Sequence, residues 1–190
     1  MSLLFKVEKR RVIPNTETLL IYPFKDIWER DKTKEKVNAI EDFSYIEFCT
    51  SVKNTNPYAG ISKSKVESTV KKDIITRKDW KEDDLIKEGK KYLDKMQREA
   101  SPTYNYYMSA KKAAEKMQDF FDTFDLTRDI NVKTGNPLYK PGDITRALND
   151  TSKILKNLDD LKEKVDNEIF ESTREKGNRK ESPLADPSTI

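Results

Sequence analysis

Residues 24–48 read FKDIWERDKTKEKVNAIEDFSYIEF, a stretch that crowds ionic and aromatic side chains together without one glycine or proline. Phe24, Ile27 and Trp28 fall on one helical face, and Pro23 suits a first turn. That segment is expected to end near Asp31–Thr33. A second helix follows from about Lys34 to Cys49, with Val37, Ile40, Phe43 and Ile46 recurring every third position. The stripe drifts around the helix, and Ala39 and Tyr45 widen it. Helices dominate the reading from here.

Working outward, residues 1–22 alternate weakly around TLLIY and read as an extended N-terminal arm or short strand that docks on something. After Cys49, KNTNPYAGIS is dense in turn formers and breaks the chain. Ser62 or Ser64 can cap a third helix carrying Val66, Val70 and Ile74. RKDWKEDD interrupts it. A fourth helix, roughly Asp83 to Glu99, turns Leu85, Ile86, Leu93 and Met96 inward, with Gly89 as its weak point. A fifth, about 102–124, carries Tyr106, Ala110, Ala113, Met117, Phe120, Phe121 and Phe124, and its small residues permit close approach of a neighbour.

Residues 125–142 are different in kind. DINV and PLYK are short β-capable runs around KTGN, which resembles a hairpin tip, and Pro137 and Pro141 confine the second run to an edge. With Asp143 as N-cap, Ile144, Leu148, Leu155, Leu158, Val165 and Ile169 then trace one seam over 143–172. That spacing predicts a helix of about 30 residues, about 45 Å long at 1.5 Å per residue. The polar tail, 173–190, is expected to order only on binding. The fold class expected is thus mainly α: an elongated helical bundle over 23–124, a small β-hairpin insertion over 125–142, a long C-terminal helix over 143–172 packing on the bundle, and extended arms over 1–22 and 173–190.

Composition agrees. Of 190 residues 35% are hydrophobic and 37% charged, so one modest core can be filled and the surplus charge is expected on solvated faces. The 37 Lys and Arg against 34 Asp and Glu leave a net +3, and acids and bases alternate as they do on helix surfaces with i,i+4 pairing. A one-sided basic stripe of the kind that binds nucleic acid is missing; only KVEKRR and KGNRK are locally basic. Nothing approaches a run of about 20 apolar residues, so no membrane span is expected. MSLLFKVEKRR has its charge on the wrong side for a signal peptide, which places the chain in a soluble, reducing compartment.

The chain offers little chemistry. It has no histidine, which removes the Ser-His-Asp and Cys-His arrangements and the commonest general base. Its one cysteine, Cys49, sits in the apolar run YIEFC and reads as a buried, inert thiol. The acidic neighbours Glu41–Asp42, Asp83–Asp84 and Asp159–Asp160 point about 100° apart on a helix and do not converge. Asp129 and Asp143 flank the hairpin and could approach each other. Tyr104, Tyr106 and Tyr107 could stack on bases, but at helical spacing they read as packing, as do Trp28, Phe43 and Phe48. Five scattered glycines make no phosphate loop, and DKTKEK lacks the ligand ladder of a calcium loop. No catalytic, cofactor-binding or metal-binding residue is assigned, and the chain is read as not an enzyme.

Two stretches together resemble a known family. FKDIWERDKTKEKVNAIEDFSYIEFCTSVKNTNPYAG, with ERDK-x-K closing a short helix, an aromatic YIxF end to the next and an NPYA turn, is similar to a pattern in the head-to-tail connector proteins of tailed bacteriophages of the crAss-like podovirus type. TGNPLYKPGDITRALNDTSKILKNLDDLKEKV also resembles that family, where a hairpin leads into a long C-terminal helix. The resemblance implies an adaptor, or ring, protein of the virion neck and tail. Such a protein forms a homo-oligomeric ring, about twelve copies set by the portal. It binds the portal and other tail or ring proteins, and extends the channel through which genomic DNA passes without sequence-specific contacts. The terminal arms would clamp those partners. Glu29, Arg30, Asp31, Lys32 and Lys34 would close one helix and open the next, ion pairs fixing the bend at about 0–1 kcal/mol per exposed pair. The alternatives are a DNA-packaging accessory or other nucleic-acid-binding module, and a coiled-coil scaffolding protein built on the last helix.

Overall fold

The computed structural model describes residues 4–8, 10–125 and 129–178, with side chains to 172. The chain is mainly α-helical and divides into two compact units, Met1–Pro102 together with Asp166–Ile190, and Thr103–Val165. The boundary thus falls between the fourth and fifth helices, earlier than the end of the 23–124 bundle expected from sequence.

The first unit opens with a β hairpin. Strands β1 (Phe5–Glu8) and β2 (Arg11–Pro14) pair antiparallel, Phe5 opposite Pro14 and Glu8 opposite Arg11, and Arg10 adopts a left-handed φ of 67° in the turn. Leu4, Phe5 and Val12 are buried, each side chain adding about 1.5–3 kcal/mol of apolar transfer. A 3-10 turn over Thr18–Leu20 follows, its Thr18 hydroxyl donating to the carbonyl of Leu4. Of the two readings of these residues, extended arm or docking short strand, the second holds over 5–14: the weak alternation is that of a short hairpin seated on the chain's own core.

Five helices succeed it: α1 (Phe24–Arg30), α2 (Val37–Thr50), α3 (Lys63–Ile74), α4 (Asp84–Ala100) and α5 (Tyr104–Thr123). Helix α2 is the axis of the first unit, touched by β2, α1, α3 and α4. From Glu41 to Phe48 every one of its side chains is buried. The drifting stripe of the sequence is thus explained, because a helix enclosed on all sides has no single apolar face. Phe5, Phe24, Phe43 and Tyr92 interlock around it, with Phe5–Phe24 ring centroids 5.3 Å apart and Phe24–Tyr92 5.6 Å apart. Gly89 lets α4 come close: a β-carbon there would lie 2.6 Å from Ile46 Cδ1.

The second unit is an α-hairpin. Tyr139, just ahead of α6 (Pro141–Asn178), packs on Phe120 and Phe124 near the end of α5, each at 5.4 Å between centroids. Near the start of α5, Tyr107 is buried, and burial first and then the charge of Asp159 on α6 push its hydroxyl up. The link between them forms the expected hairpin around KTGN in minimal form. One antiparallel bridge joins Ile130 to Pro137, Leu138 N–H donates to Asp129 O at 2.8 Å, and Gly135 takes φ 70° at the tip. Helix α6 starts at Pro141, where a missing N–H costs nothing, and has 38 residues, about 57 Å of rise at 1.5 Å each. It thus exceeds the expected 143–172 at both ends, and the rest of the tail, 179–190, lies outside the described residues.

Candidate functional site

The ionic residues of the opening stretch converge on helix ends, not on a reaction centre. Asp31 ends α1 and serves as acceptor for the start of α2: one oxygen takes the N–H of Thr33 at 2.8 Å, the other the N–H of Ala39 at 2.9 Å. Thr33 Oγ1 accepts from Val37 N at 3.0 Å. These bonds supply partners for amides that a helix start leaves open. Burial pushes the Asp31 carboxyl upward, but the amides of Thr33 and Ala39 outweigh it and hold the group below its ordinary value. Lys36, in left-handed backbone at φ 52°, donates to Trp28 O at 3.1 Å and Asp31 O at 2.6 Å, closing α1. Lys32 reaches Glu29 O at 2.8 Å. The bend is fixed by side-chain-to-backbone bonds as much as by ion pairs, and Lys36 does the work assigned to Lys34.

A second set of groups is buried between α1, α2 and the link from α3 to α4. Glu41 and Asp42 lie beside each other on α2, and Arg77 reaches both: its Nε donates to Glu41 at 2.9 Å and its terminal nitrogen to Asp42 and, at 3.2 Å, to Asn38 O. Thr76 donates to Glu41 through both its N–H and its hydroxyl. Trp80 Nε1–H donates to Asp42 at 2.8 Å, and Arg30 joins Asp42 at 2.8 Å to Asp83. Asp83 also accepts Ile86 N–H at 3.0 Å as the N-cap of α4. Glu41 and Asp42 thus meet on one shared cation, Arg77. Each carboxylate is spent on donors, which leaves neither oxygen of Asp42 open to a substrate.

Polar side chains also hold the NTNPYAG turn. Asn56 Nδ2 donates to Phe48 O at 3.1 Å and Ser51 O at 2.6 Å, while its Oδ1 accepts from Tyr58 N. Gln97 of α4 takes Val52 N–H at 3.0 Å and gives to Thr50 O at 3.2 Å. On the far side of α2, Lys90 sits between Glu67 and Glu82, and its ammonium lies 5.4 Å from the Tyr45 ring centroid. Burial pushes the neighbouring Cys49 thiol up to about 12, which keeps it protonated and a poor nucleophile.

The other acidic pairs stay apart in role: Asp84 is exposed with Lys87, and Asp159 and Asp160 are exposed on α6. Asp129 accepts Asp125 N–H at 3.2 Å and Asp143 is exposed in the first turn of α6. Tyr104 and Tyr107 are buried, whereas Tyr106 is 76% exposed. Among the described residues no group of three or more metal-ligating side chains occurs, and no helix is long and apolar enough to cross a membrane. Arg77, Trp80, Asn56 and Gln97 escaped the sequence reading. Their partners are 35 to 47 residues away or within irregular turns, beyond the reach of helical periodicity.

Apolar surface is exposed at Leu20 and Tyr22 in the first unit and along much of the second. Among the described residues from Met108 to Lys164 none is buried, although the span carries Met117, Phe120, Phe121, Leu148, Ile154, Leu155, Leu158 and Leu161. Leu148 and Leu155, one heptad apart, are each about half exposed, and Val132 and Leu138 stand out from the hairpin link. No family model matches the chain, and no curated protein or solved structure matches it either.

Proposed function

We propose that this protein is a structural component of a tailed-phage particle: a connector that forms a ring at the virion neck, joins portal to tail and lengthens the channel for DNA. The reading begins from the two stretches that resemble phage connector proteins. The structural observation that favours it is the span from Met108 to Lys164, where no described side chain is buried although large apolar residues recur, the buried apolar residues Tyr104, Tyr107 and Val165 lying just beyond its two ends. A ring of identical subunits resolves that deficit, since each hairpin then lies against a neighbour and shares its apolar strip. The first unit, by contrast, encloses a core around α2 and ties Asp31, Glu41 and Asp42 into internal bonds.

In this reading DNA passes by without being gripped. A near-neutral wall suits that role, because phosphate contacts through many cations would hold the duplex tightly. The ring, about twelve copies on its portal, would form on that template. A reconstruction of the virus particle provides the test. Density for α6, about 57 Å long, is expected in a ring below the portal. Its presence inside the capsid, or absence from purified particles, would refute the assignment.

A further inference from the structure

Glu47 is the one acidic side chain of α2 that the network around Arg77 does not serve. It is 2% exposed, and its Oε2 has no hydrogen-bond partner. On a helix the position lies between the directions of Phe43, four residues earlier, and Ser44, three residues earlier. The β hairpin touches both: the Phe5 ring packs on Phe43 at 5.6 Å between centroids, and Val12 N–H donates to Ser44 Oγ at 3.1 Å. The hairpin, whose β2 packs along α2, thus reaches the two residues one turn before Glu47.

We propose that Glu47 makes the seat of the hairpin a proton-dependent latch: β1 and β2 stay on α2 while the carboxyl holds its proton and come away when it is lost. A buried carboxylate with an unpartnered oxygen is too costly to keep, whereas a carboxylic acid is tolerated. Burial holds the Glu47 carboxyl above its ordinary range, against smaller opposing pulls from Lys53 and Ser51. Among the described hairpin cations, Lys6 is paired with Glu8, Arg10 acts on Tyr58, and Lys6, Arg10 and Arg11 are all exposed. On the other elements packed against α2, Lys90 of α4 is engaged by Glu67 of α3 and by Glu82, and Arg30 of α1 is engaged by Asp42 and Asp83.

Hydrogen exchange read by mass spectrometry on the full chain, from pH 6 to pH 9 and corrected for intrinsic rates, tests the latch. Protection of residues 4–14 is expected to fall at least about tenfold with rising pH, while α3 and α4 keep theirs. The neutral variant Glu47→Gln should hold the hairpin's protection flat. Equal profiles in the two proteins, or a loss spread evenly over all helices, would overturn the proposal. Should the variant not fold, the carboxyl carbon shift of Glu47 in the unaltered protein decides: a titration midpoint above pH 6 supports the latch, and one below pH 5 overturns it.

Discussion

Arg30, the last residue of α1, holds the buried carboxylate of Asp42 at 2.8 Å from the neighbouring helix, and with that single contact ties together two helices that the sequence separates by a charged bend. Asp42 is 2% exposed as a side chain and Arg30 about a third, so the pair is screened far less than a surface bridge. A double-mutant cycle between Arg30→Met and Asp42→Asn should give a coupling of about 1–3 kcal/mol in urea unfolding. The same cycle on the exposed pair Lys87 and Asp84 should give about 0–1 kcal/mol. Equal couplings would show that the buried network adds no stability beyond a surface pair.

Asp31 sets an acid limit. Its folded carboxyl titrates below the ordinary value, so it binds its proton less readily folded than unfolded, and its contribution is present above about pH 3.9. That contribution is lost as pH falls through the folded value. Asp31→Ala should cost about 1–2 kcal/mol at pH 7, the loss of a helix cap. The gap between variant and parent should close toward pH 2. A gap that persists unchanged to pH 2 would mean that packing, not charge, explains the loss.

Gly89 was read as a weak point of its helix, and the structure gives the glycine a reason. Alanine gains about 0.5–1 kcal/mol of helix propensity over glycine, but its β-carbon would press on Ile46, which has no exposure. Overpacking costs about 1–3 kcal/mol, so Gly89→Ala should destabilise the protein. Trimming the obstacle with Ile46→Val, which removes Cδ1, should recover part of the loss in the double variant. Thermal or urea unfolding of the three proteins checks both signs, and a stabilised Gly89→Ala would show that α4 has room to spare.

Leu148 and Leu155 test the use made of the second unit. Replacing both by lysine should change the stability of the isolated chain by less than about 1 kcal/mol, since each is already half wet. Assembly on the portal should fail. Loss of fold in the double variant would place these leucines in a core instead, and normal assembly would place the subunit contact elsewhere.

The helices were legible because periodicity and turn chemistry are local. Ser62 stands at the N-cap position of α3 without a side-chain capping bond, α4 begins beside the expected Asp83, and Val66 and Val70 are buried at their four-residue spacing. Three features were hidden, the first two because what they pack on or bond to is distant in sequence. The weak alternation of residues 5–14 became a buried hairpin because Val12 and Phe5 found α2. Glu41, Asp42 and Glu47 look like surface residues in a chain that is 37% charged, yet all three are buried. Lys36 gave no local sign of its capping role, which depends on a left-handed backbone angle.

The account as a whole stands on the claim that copies of this chain close a ring on a viral portal. Native mass measurement of the protein mixed with the portal protein of the same virus is the most direct test. The account predicts a complex carrying about twelve copies on one portal, even where the isolated chain is monomeric. A portal that stays bare at concentrations well above those in an infected cell would contradict it.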